Sequence, residues 1–382
     1  MNSRSLLHVD DVLTPDIDFC RVYQLTALSR SNSDVVFDWP ERKQTMELRE
    51  PFTSLLGSGM EQILSTAANG QHWVKAISKP SHSLLLSLFT PSIVSQTHTV
   101  WTSSHKPIIT RRADQKHLDY DFDTLTGGLN LVTPKNNLRK LSGPFFLLSE
   151  RWTSHNLYHW TYDSLARIPI YLELKKQIPG LQLLLIGQHN LSFHREWLDL
   201  LGITGEIYTV DHTCDYVIDN LFYMPRIGLN SPVNIGFHLS KLLAAAQLEL
   251  PLDLIGRKKF FINRRSGSIR SLVNNELVSS CLRANGYIEL FLEDFSIMQK
   301  LVLAQSCAKL VGISGSGMFF LSFMRPGSCI LEITHNKIDC PAHYIHSISM
   351  NHHYGYVQGN CLPGEIIDLN LLHLQRALDL MP

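Results

Sequence analysis

The sequence predicts an α/β protein in which helices alternate with the strands of a parallel sheet, after a less regular N-terminal portion. Three observations support this prediction. From residue 144 onward, short runs rich in Leu, Ile and Val alternate with segments of helical character. A loop of Gly and Ser at 312–317 joins one apolar run to a helical segment. The length of 382 residues suggests two domains or one large one.

The first part of the alternation covers residues 144–210. The expected elements are a strand at 144–148, a helix from about 154 to 176, a strand at 181–186, a helix at 194–201 and a strand at 207–210. Pro169 is expected to kink or break the first helix, because proline removes a backbone donor, and Gly202 ends the second. The continuous apolar runs are typical of parallel strands that are buried on both faces.

Residues 238–335 continue the alternation as half of a doubly wound domain. The expected elements are helices at 238–248, 275–285 and 297–306, and strands at 258–263, 288–292, 310–311 and 329–333. Gly286 suits the left-handed conformation in which many helices end. The segment 230–237, with Pro232 and Gly236, is interpreted as the crossing between two domains. Residues 1–120 are interpreted as strands and loops with a few helices.

Composition argues against several classes of protein. Lys plus Arg and Asp plus Glu both total 34, so the net charge of +0 gives no reason to expect nucleic acid as a partner. The 7 cysteines form no CxxC pair and several lie in apolar runs, so a reducing cytosol fits better than a secreted disulfide framework. We find neither the apolar run of a transmembrane span nor the apolar core of a signal peptide.

The segment Lys309–Thr334 has the layout of a nucleotide site. It consists of a strand, a small-residue loop, an apolar helix and a second strand that ends near Glu332. The loop supplies four small residues, Ser314, Gly315, Ser316 and Gly317. Such a loop lets backbone N–H groups and a helix N-terminus face an anion, and a carboxylate at the next strand suits a ribose. The spacing is neither GxGxxG nor a P-loop, so a tight turn without a ligand stays an alternative.

A second candidate for anion binding follows the strand at 258–263. The sequence NRRSGSIR brings three guanidinium groups, those of Arg264, Arg265 and Arg270, into a short loop. Arginine offers forked donors that match phosphate oxygens in pairs. A solvated basic loop is the alternative. Because this loop and the Gly/Ser loop both follow strands, we expect them to meet at the carboxyl edge of one sheet.

The first predicted helix carries a third candidate site. His155, His159, Asp163 and Arg167 are spaced by four, and each step of four advances about 400°, so they are expected on one broad face. Asp163 either orients His159 as a base or acts as the base itself. Zinc is a competing interpretation, although the zincin motif needs Glu where this chain has Asn156. A third interpretation is a polar helix face that an Asp163–Arg167 ion pair stabilises.

Three segments carry a resemblance to a known family. HNLYHWTYDSLARIPIYLEL, at 155–174, resembles the N-terminal signature of glycosyltransferase family 61. KKFFINRRSGSIRSLVNNELVSSCLRANGYIEL, at 258–290, is similar to the family's strand, Arg loop and helix. VGISGSGMFFLSFMRPGSCILEI, at 311–333, resembles its glycine loop and terminal Glu, with Ser314 where the family usually has His. The resemblance covers about residues 144–335 and keeps order and spacing.

The resemblance implies a GT-B-like architecture, with two facing Rossmann-like domains and the active site in the cleft. It also implies an inverting, metal-independent transferase whose donor is a nucleotide sugar, which we expect to be a UDP-sugar, with no cofactor. A base, Asp163 assisted by His159 or His155, takes the proton from a hydroxyl of a glycan or glycoconjugate acceptor. Arg264 and Arg265 then stabilise the leaving diphosphate.

These expectations divide the chain into three parts. Residues 1–230 form the acceptor and base domain, residues 231–360 the nucleotide-sugar domain, and residues 361–382 a C-terminal helix that packs back on the N-terminal domain. The donor contacts are Arg264, Arg265, Arg270, Ser314, Gly315, Ser316, Gly317 and Glu332. We expect a hexosyl- or pentosyltransferase of polysaccharide biosynthesis in the cytoplasm, in association with the inner face of the membrane. The alternatives are a non-catalytic nucleotide- or carbohydrate-binding module and a zinc hydrolase.

Overall fold

The computed structural model describes most of the chain from residue 138 onward. The described ranges are 49–56, 91–94, 138–150, 152–224, 235–246, 258–265, 269–335 and 341–382, together with the short strands given below. The expectations for most of residues 1–120, and for most of the crossing at 230–237, lie outside the described residues.

The first sheet is built around four parallel strands. The strands up to residue 223 are β1 (Leu7–His8), β2 (Cys20–Gln24), β3 (Leu84–Leu88), β4 (Ser92–Val94), β5 (Val100–Trp101), β6 (Ile108–Ile109), β7 (Leu138–Leu147), β8 (Gln182–Ile186), β9 (Ile207–Val210) and β10 (Asp215–Tyr223). The parallel strands lie in the order β10-β7-β8-β9. Antiparallel strands β3 and β4 pair with β10 and extend the sheet, while β1 pairs with β6 separately. The strand order therefore reverses between β7 and β10.

The helical stretch between β7 and β8 is made of four consecutive pieces. They are α1 (Leu157–His159), a π-helical turn (Trp160–Ser164), a 3-10 turn (Leu165–Arg167) and α2 (Ile168–Lys175). The stretch begins later than predicted because the side chain of Asn156 caps α1, accepting from the N–H groups of Tyr158 and His159. Pro169 lies in the first turn of α2, where a missing N–H is tolerated. Helix α3 (Ser192–Leu200) follows β8.

The second sheet is parallel in five of its six strands. Its elements are α4 (Ile235–Ala245), β11 (Lys258–Ile262), α5 (Asn275–Ala284), β12 (Ile288–Leu290), a 3-10 turn (Leu292–Asp294), α6 (Ile297–Ser306), β13 (Cys307–Ile313), a 3-10 helix (Ser316–Phe323), β14 (Cys329–His335), α7 (Ala342–Ser349), β15 (His353–Leu362), β16 (Ile366–Asp368) and α8 (Leu371–Asp379). The order is β12-β11-β13-β14-β15-β16, with β16 antiparallel. It reverses between β11 and β13. The predicted α/β class, with parallel-rich sheets, is confirmed.

One hydrophobic core connects the two sheets. It includes Phe146 and Trp160 from the first part of the chain and Phe260 and Phe320 from the second. The 3-10 helix Ser316–Phe323 contacts α1 directly. The hydroxyl groups of Tyr162 and Ser322 are hydrogen-bonded across this contact. The helical stretch that carries the candidate base therefore packs against the helix that follows the Gly/Ser loop.

The C-terminal helix packs on the second sheet, which corrects the expectation that residues 361–382 return to the N-terminal domain. Leu374 and Ala377 of α8 are fully buried in the same cluster as Leu282 of α5 and Val311 of β13. The outer face of β13 and β15 would otherwise be exposed, and the apolar side of α8 covers it. Lys309 of β13 also donates to the carbonyl of Met381 at 3.0 Å.

An N-terminal segment, residues 49–56, also contacts the second sheet. The N–H of Phe52 donates to the carbonyl of Tyr354 at 2.9 Å, and its ring lies so close to Gly355 that a Cβ there would clash with it. Thr53 Oγ1 accepts from the N–H of Tyr356 at 3.1 Å. The expected boundary at residue 230 therefore does not separate this segment from the second sheet.

Candidate active site

The carboxyl edge of the second sheet brings the two predicted anion loops together. Asn263 and Arg264 follow β11, and Ser314 and Gly315 follow β13. These are the strands between which the order reverses, the place where ligands bind in open α/β sheets. Gly315 has a φ of 143°, and a Cβ on it would overlap the guanidinium of Arg264. The absence of a side chain at Gly315 thus allows the guanidinium to lie across the loop.

Arg264 is a half-buried cation at this point of the fold. Its Nη1 donates to the carbonyl of Ile269. Burial, and to a smaller extent the nearby charge of Arg270, holds the pKa of Arg264 below its usual value. An arginine nevertheless stays protonated in proteins. Its guanidinium lies next to the backbone of Gly315. Among the described residues, the carboxylates of Glu293 and Glu365 act on its charge from nearby.

The other two predicted arginines are engaged elsewhere. Arg265 Nε donates to Glu293 at 3.0 Å, and the group also pairs with Asp294 and lies over the Phe291 ring. Its side chain is 56% exposed. Arg270, in the left-handed conformation with φ 67°, pairs with Glu365 at 3.3 Å. Of the three guanidinium groups, Arg264 is the one placed against the Gly/Ser loop.

Glu332 is a buried carboxylate with three protein partners. Its Oε1 accepts from His343 Nδ1 at 2.8 Å, and its Oε2 accepts from the hydroxyl of Tyr354 at 2.6 Å. The side chain of Ser314 is the third donor. Burial alone would raise the pKa of Glu332, but the charge of His343 and these three hydrogen bonds outweigh it and lower the pKa. A carboxylate accepts about four hydrogen bonds, so the predicted ribose contact would use the remaining position.

Asp163 and His159 form a hydrogen-bonded pair in the helical stretch between β7 and β8. His159 Nδ1 lies 2.8 Å from Asp163 Oδ2. The Asp163 side chain is 4% exposed and that of His159 is 26% exposed. Because an ionised carboxylate only accepts, Nδ1 carries the proton and Nε2 faces away from Asp163. Asp163 lies in the π-helical turn, a feature often found at functional sites.

The prediction that four polar residues share one helix face is wrong for two of them. His155 is exposed in the turn before α1, because the helix starts after Asn156. Arg167 is fully buried and pairs with Glu150 at 3.3 Å. Its guanidinium also donates to three backbone carbonyls, those of Leu147, Leu148 and Met224. The π-helical and 3-10 turns change the rotation per residue, so Arg167 points to the ends of β7 and β10 instead.

Helix α7 connects the two candidate half-sites, which are the Asp163–His159 pair and the group of Arg264, Gly315 and Glu332. Its histidines were not among the predicted site residues. The Tyr162 ring stacks on His346 with centroids 4.0 Å apart, and the Tyr158 ring meets His343 edge-on at 5.8 Å. Burial lowers the pKa of His346 to about 3, although the charge of Asp163 acts in the opposite direction. His346 is therefore neutral. Helix α7 therefore contacts Tyr162, the neighbour of Asp163, through His346, and Glu332 through His343. The signal in the sequence was the pair of histidines three residues apart, shortly after β14.

Metal-binding clusters and membrane-spanning helices were searched for among the described residues alone. Within the ranges that the structure describes, no group of three or more His, Cys, Asp or Glu is arranged to hold a metal ion. In the same part of the chain, no helix has the length and apolar character needed to cross a membrane.

A comparison with known families bears on the same residues. The family model described as Glycosyltransferase 61 matches residues 157–331, which confirms the resemblance to glycosyltransferase family 61 and supports glycosyltransferase activity, with a sugar donor and an acceptor as substrates. The matched stretch contains Asp163, Arg264 and Gly315, and it ends just before Glu332 and His343. No curated protein matches the chain.

Proposed function

We propose that this protein is an inverting glycosyltransferase that moves a sugar from a nucleotide-sugar donor to a hydroxyl of a glycan or glycoconjugate. The observation that carries the proposal is the position of Arg264 across Gly315, at the order reversal of the second sheet. Ile262, two residues before Arg264, and Trp160 and Tyr162, next to His159 and Asp163, belong to one hydrophobic core. Group transfer needs both parts, a cation for the leaving group and a base for the incoming hydroxyl.

On the donor side, Arg264 and the first N–H groups of the 3-10 helix Ser316–Phe323 receive the diphosphate. They are fixed before the reaction, so they stabilise the charge that develops on the leaving group without reorganising. Arg265 and Arg270 contribute at the outer edge, because each would first have to leave an ion pair. The ribose is placed near Glu332. The donor is proposed to be a UDP-sugar.

On the acceptor side, the hydroxyl gives its proton to His159 Nε2, and Asp163 orients the imidazole and stabilises the imidazolium that forms. The deprotonated oxygen attacks C1 of the sugar from the face opposite the diphosphate, so the configuration inverts. The half-buried ring of Trp152, with its centroid 5.0 Å from that of His159, offers an apolar face to the acceptor sugar. His155 lies on the exposed turn beside this pair.

A GT-B-like arrangement is part of the proposal. Both sheets have the order reversal at which ligands bind, between β7 and β10 in the first and between β11 and β13 in the second. The helical stretch at 157–175 follows the first reversal strand β7, and the Gly/Ser loop follows β13. This supports a donor site on one sheet and an acceptor site on the other.

The experiment that tests the proposal is a screen of the purified full-length chain against UDP-, GDP-, ADP- and CMP-sugars. The expected result is thermal stabilisation by one donor class together with slow hydrolysis that releases the nucleotide. A non-catalytic binding module would show stabilisation without turnover, since it has no use for the Asp163–His159 pair. No stabilisation and no turnover with any donor would contradict the proposal.

Excess chelator is expected to leave the rate of sugar transfer or donor hydrolysis unchanged. The reason is that Arg264 and backbone N–H groups, rather than a metal ion, are proposed to carry the charge of the diphosphate. The measurement is the initial rate with and without EDTA in the same assay. Complete loss of activity that added Mn²⁺ or Zn²⁺ restores would contradict metal independence.

Replacing Arg264 by Ala is expected to weaken nucleoside diphosphate binding more than replacing Arg265. A charge-assisted hydrogen bond is worth roughly 1.5–3 kcal/mol, so Arg264→Ala should cost roughly ten- to a hundredfold in affinity. Arg265→Ala is a matched control in the same loop, and the exposed ion pair that it removes is worth about 0–1 kcal/mol. Calorimetric titration measures both. Equal losses, or none in either variant, would contradict the assignment of Arg264.

A further inference from the structure

His343 lies between the two half-sites, and the transfer reaction described above gives it no role. Its Nδ1 is 2.8 Å from Glu332 Oε1, and its ring meets that of Tyr158 edge-on. Glu332 is hydrogen-bonded to Ser314, which directly precedes Gly315. Tyr158 directly precedes His159. One side chain therefore contacts the neighbours of both the donor loop and the candidate base.

Glu332 fixes the orientation and the proton of this imidazole. The carboxylate is ionised and only accepts hydrogen bonds, so Nδ1 of His343 donates to it. Nε2, on the other side of the ring, is then the atom left for a ligand. The side chain of His343 keeps 11% of its surface exposed, whereas His346, one turn later on α7, is fully buried. A ring nitrogen held by a carboxylate in this way makes the imidazole a better partner for an electrophile or a proton.

We propose that His343 is a donor-binding residue: as an imidazolium held by Glu332, it donates from Nε2 to the diphosphate and shares with Arg264 the charge of the leaving group. This inference rests on the proposed function and names a further residue of its donor site. Glu332 is then a positioning residue that acts through His343. Its burial and its three protein partners agree with this role.

The titratable groups that face His343 come from several elements. Glu332 on β14 contacts it directly, and Tyr354 on β15 lies behind that carboxylate. Tyr158 faces it from α1, and His346 from α7 itself, with Asp163 behind His346. Burial holds the pKa of Tyr354 well above its usual value and that of His346 at about 3, so both are neutral near pH 7. Among the residues that the structure describes, Glu332 is the charged group that contacts the imidazole.

The test is calorimetric titration of inorganic pyrophosphate, UDP and uridine into the full-length protein across about pH 5.5 to 9, where histidines titrate. His343→Gln is expected to weaken pyrophosphate and UDP by roughly ten- to a hundredfold at the acidic end, with the uridine affinity unchanged. At the alkaline end, the variant and the wild type are expected to bind alike, since the proposed contact requires a protonated imidazole. At each pH, the affinity of the wild type is divided by that of the variant. Protonation of the phosphate changes both affinities equally, so it cancels in this ratio.

Glu332→Gln keeps the imidazole and removes the charge that stabilises its protonated form. The pH at which diphosphate affinity falls is therefore expected to move to a lower value than in the wild type. His353→Gln is the control, since His353 is exposed at the amino end of β15, opposite the site. It is expected to bind all three ligands as the wild type does. Thermal unfolding of each variant shows that it is folded.

Four outcomes would overturn the inference. A His343→Gln variant that binds pyrophosphate and UDP as the wild type does at every pH removes His343 from the donor site, while a loss in Arg264→Ala still supports the proposed function. Equal losses for UDP and uridine would assign His343 a merely structural role. If His343→Gln does not fold, an unchanged pH curve for Glu332→Gln overturns the inference. If the wild type binds no diphosphate, that result contradicts both this inference and the proposed donor site.

Discussion

Asp163→Asn is expected to lower turnover by about two to four orders of magnitude, the usual contribution of general base catalysis, with donor affinity little changed. Asp163 accepts from Nδ1 of His159 at 2.8 Å and is almost completely buried. An amide at the same position donates to Nδ1 through its NH₂ group and so favours the tautomer with the proton on Nε2. That imidazole is unable to accept the proton of the acceptor hydroxyl. The amide also leaves the imidazolium without its counter-charge.

The measurement is steady-state kinetics of sugar transfer or donor hydrolysis, with kcat and kcat/KM expected to fall together. Asp199→Asn is the matched control, because it makes the same substitution at an exposed position of α3. It should behave as the wild type does. A near-native kcat for Asp163→Asn would remove Asp163 from the mechanism and leave His159 or His155 as the candidate base.

The elements with clear local sequence patterns were the most predictable part of the fold. The strand at 207–210 and the helix at 297–306 have the predicted bounds, since both are marked by local patterns. For the helix, Ser296 and Gln299 form a capping box. Strand β10 was not predicted, because Asp215, Asp219 and Asn220 interrupt its apolar residues.

Strand β15 was hidden by its glycines. Residues 353–362 read HYGYVQGNCL, and glycine is depleted in strands. Both glycines are needed because other parts of the chain lie on the strand: the Phe52 ring against Gly355, and Ile367 and Asp368 against Gly359. Such close approaches depend on tertiary contacts that are remote in sequence, so no local pattern shows them.

The candidate site was predictable in position and less so in detail. The meeting of the Arg loop and the Gly/Ser loop follows from parallel topology alone. Which arginine lies there depends on Glu293 and Asp294, which lie well beyond the loop in sequence and hold Arg265 at the surface. The His159–Asp163 pair has a local spacing and was found. His343 reaches Glu332 only through the packing of α7, and it was missed.

Gly315→Ala is expected to weaken nucleoside diphosphate binding at least as much as Arg264→Ala does, and also to destabilise the fold. The new Cβ would overlap the Arg264 guanidinium and force it away from the loop. The lost charge-assisted contact is worth roughly 1.5–3 kcal/mol, or roughly ten- to a hundredfold in affinity. Gly315 has a φ of 143°, which L side chains rarely adopt, and such backbone strain lowers the free energy of unfolding by about 1–3 kcal/mol.

Gly327→Ala is the control that separates the effect of backbone strain from the effect of displacing the Arg264 guanidinium. Gly327 has a φ of 86°, and no atom lies within 4 Å of the position that its Cβ would take, so alanine there adds backbone strain without displacing a side chain. It should lower stability and leave diphosphate affinity unchanged.

In the Arg264→Ala background, Gly315→Ala should cost little further affinity, because the group that it displaces is already gone. Calorimetric titration of the wild type, the two single variants and the double variant gives this cycle. Fully additive losses would show that Gly315 and Arg264 act on the donor independently, contrary to the contact between them.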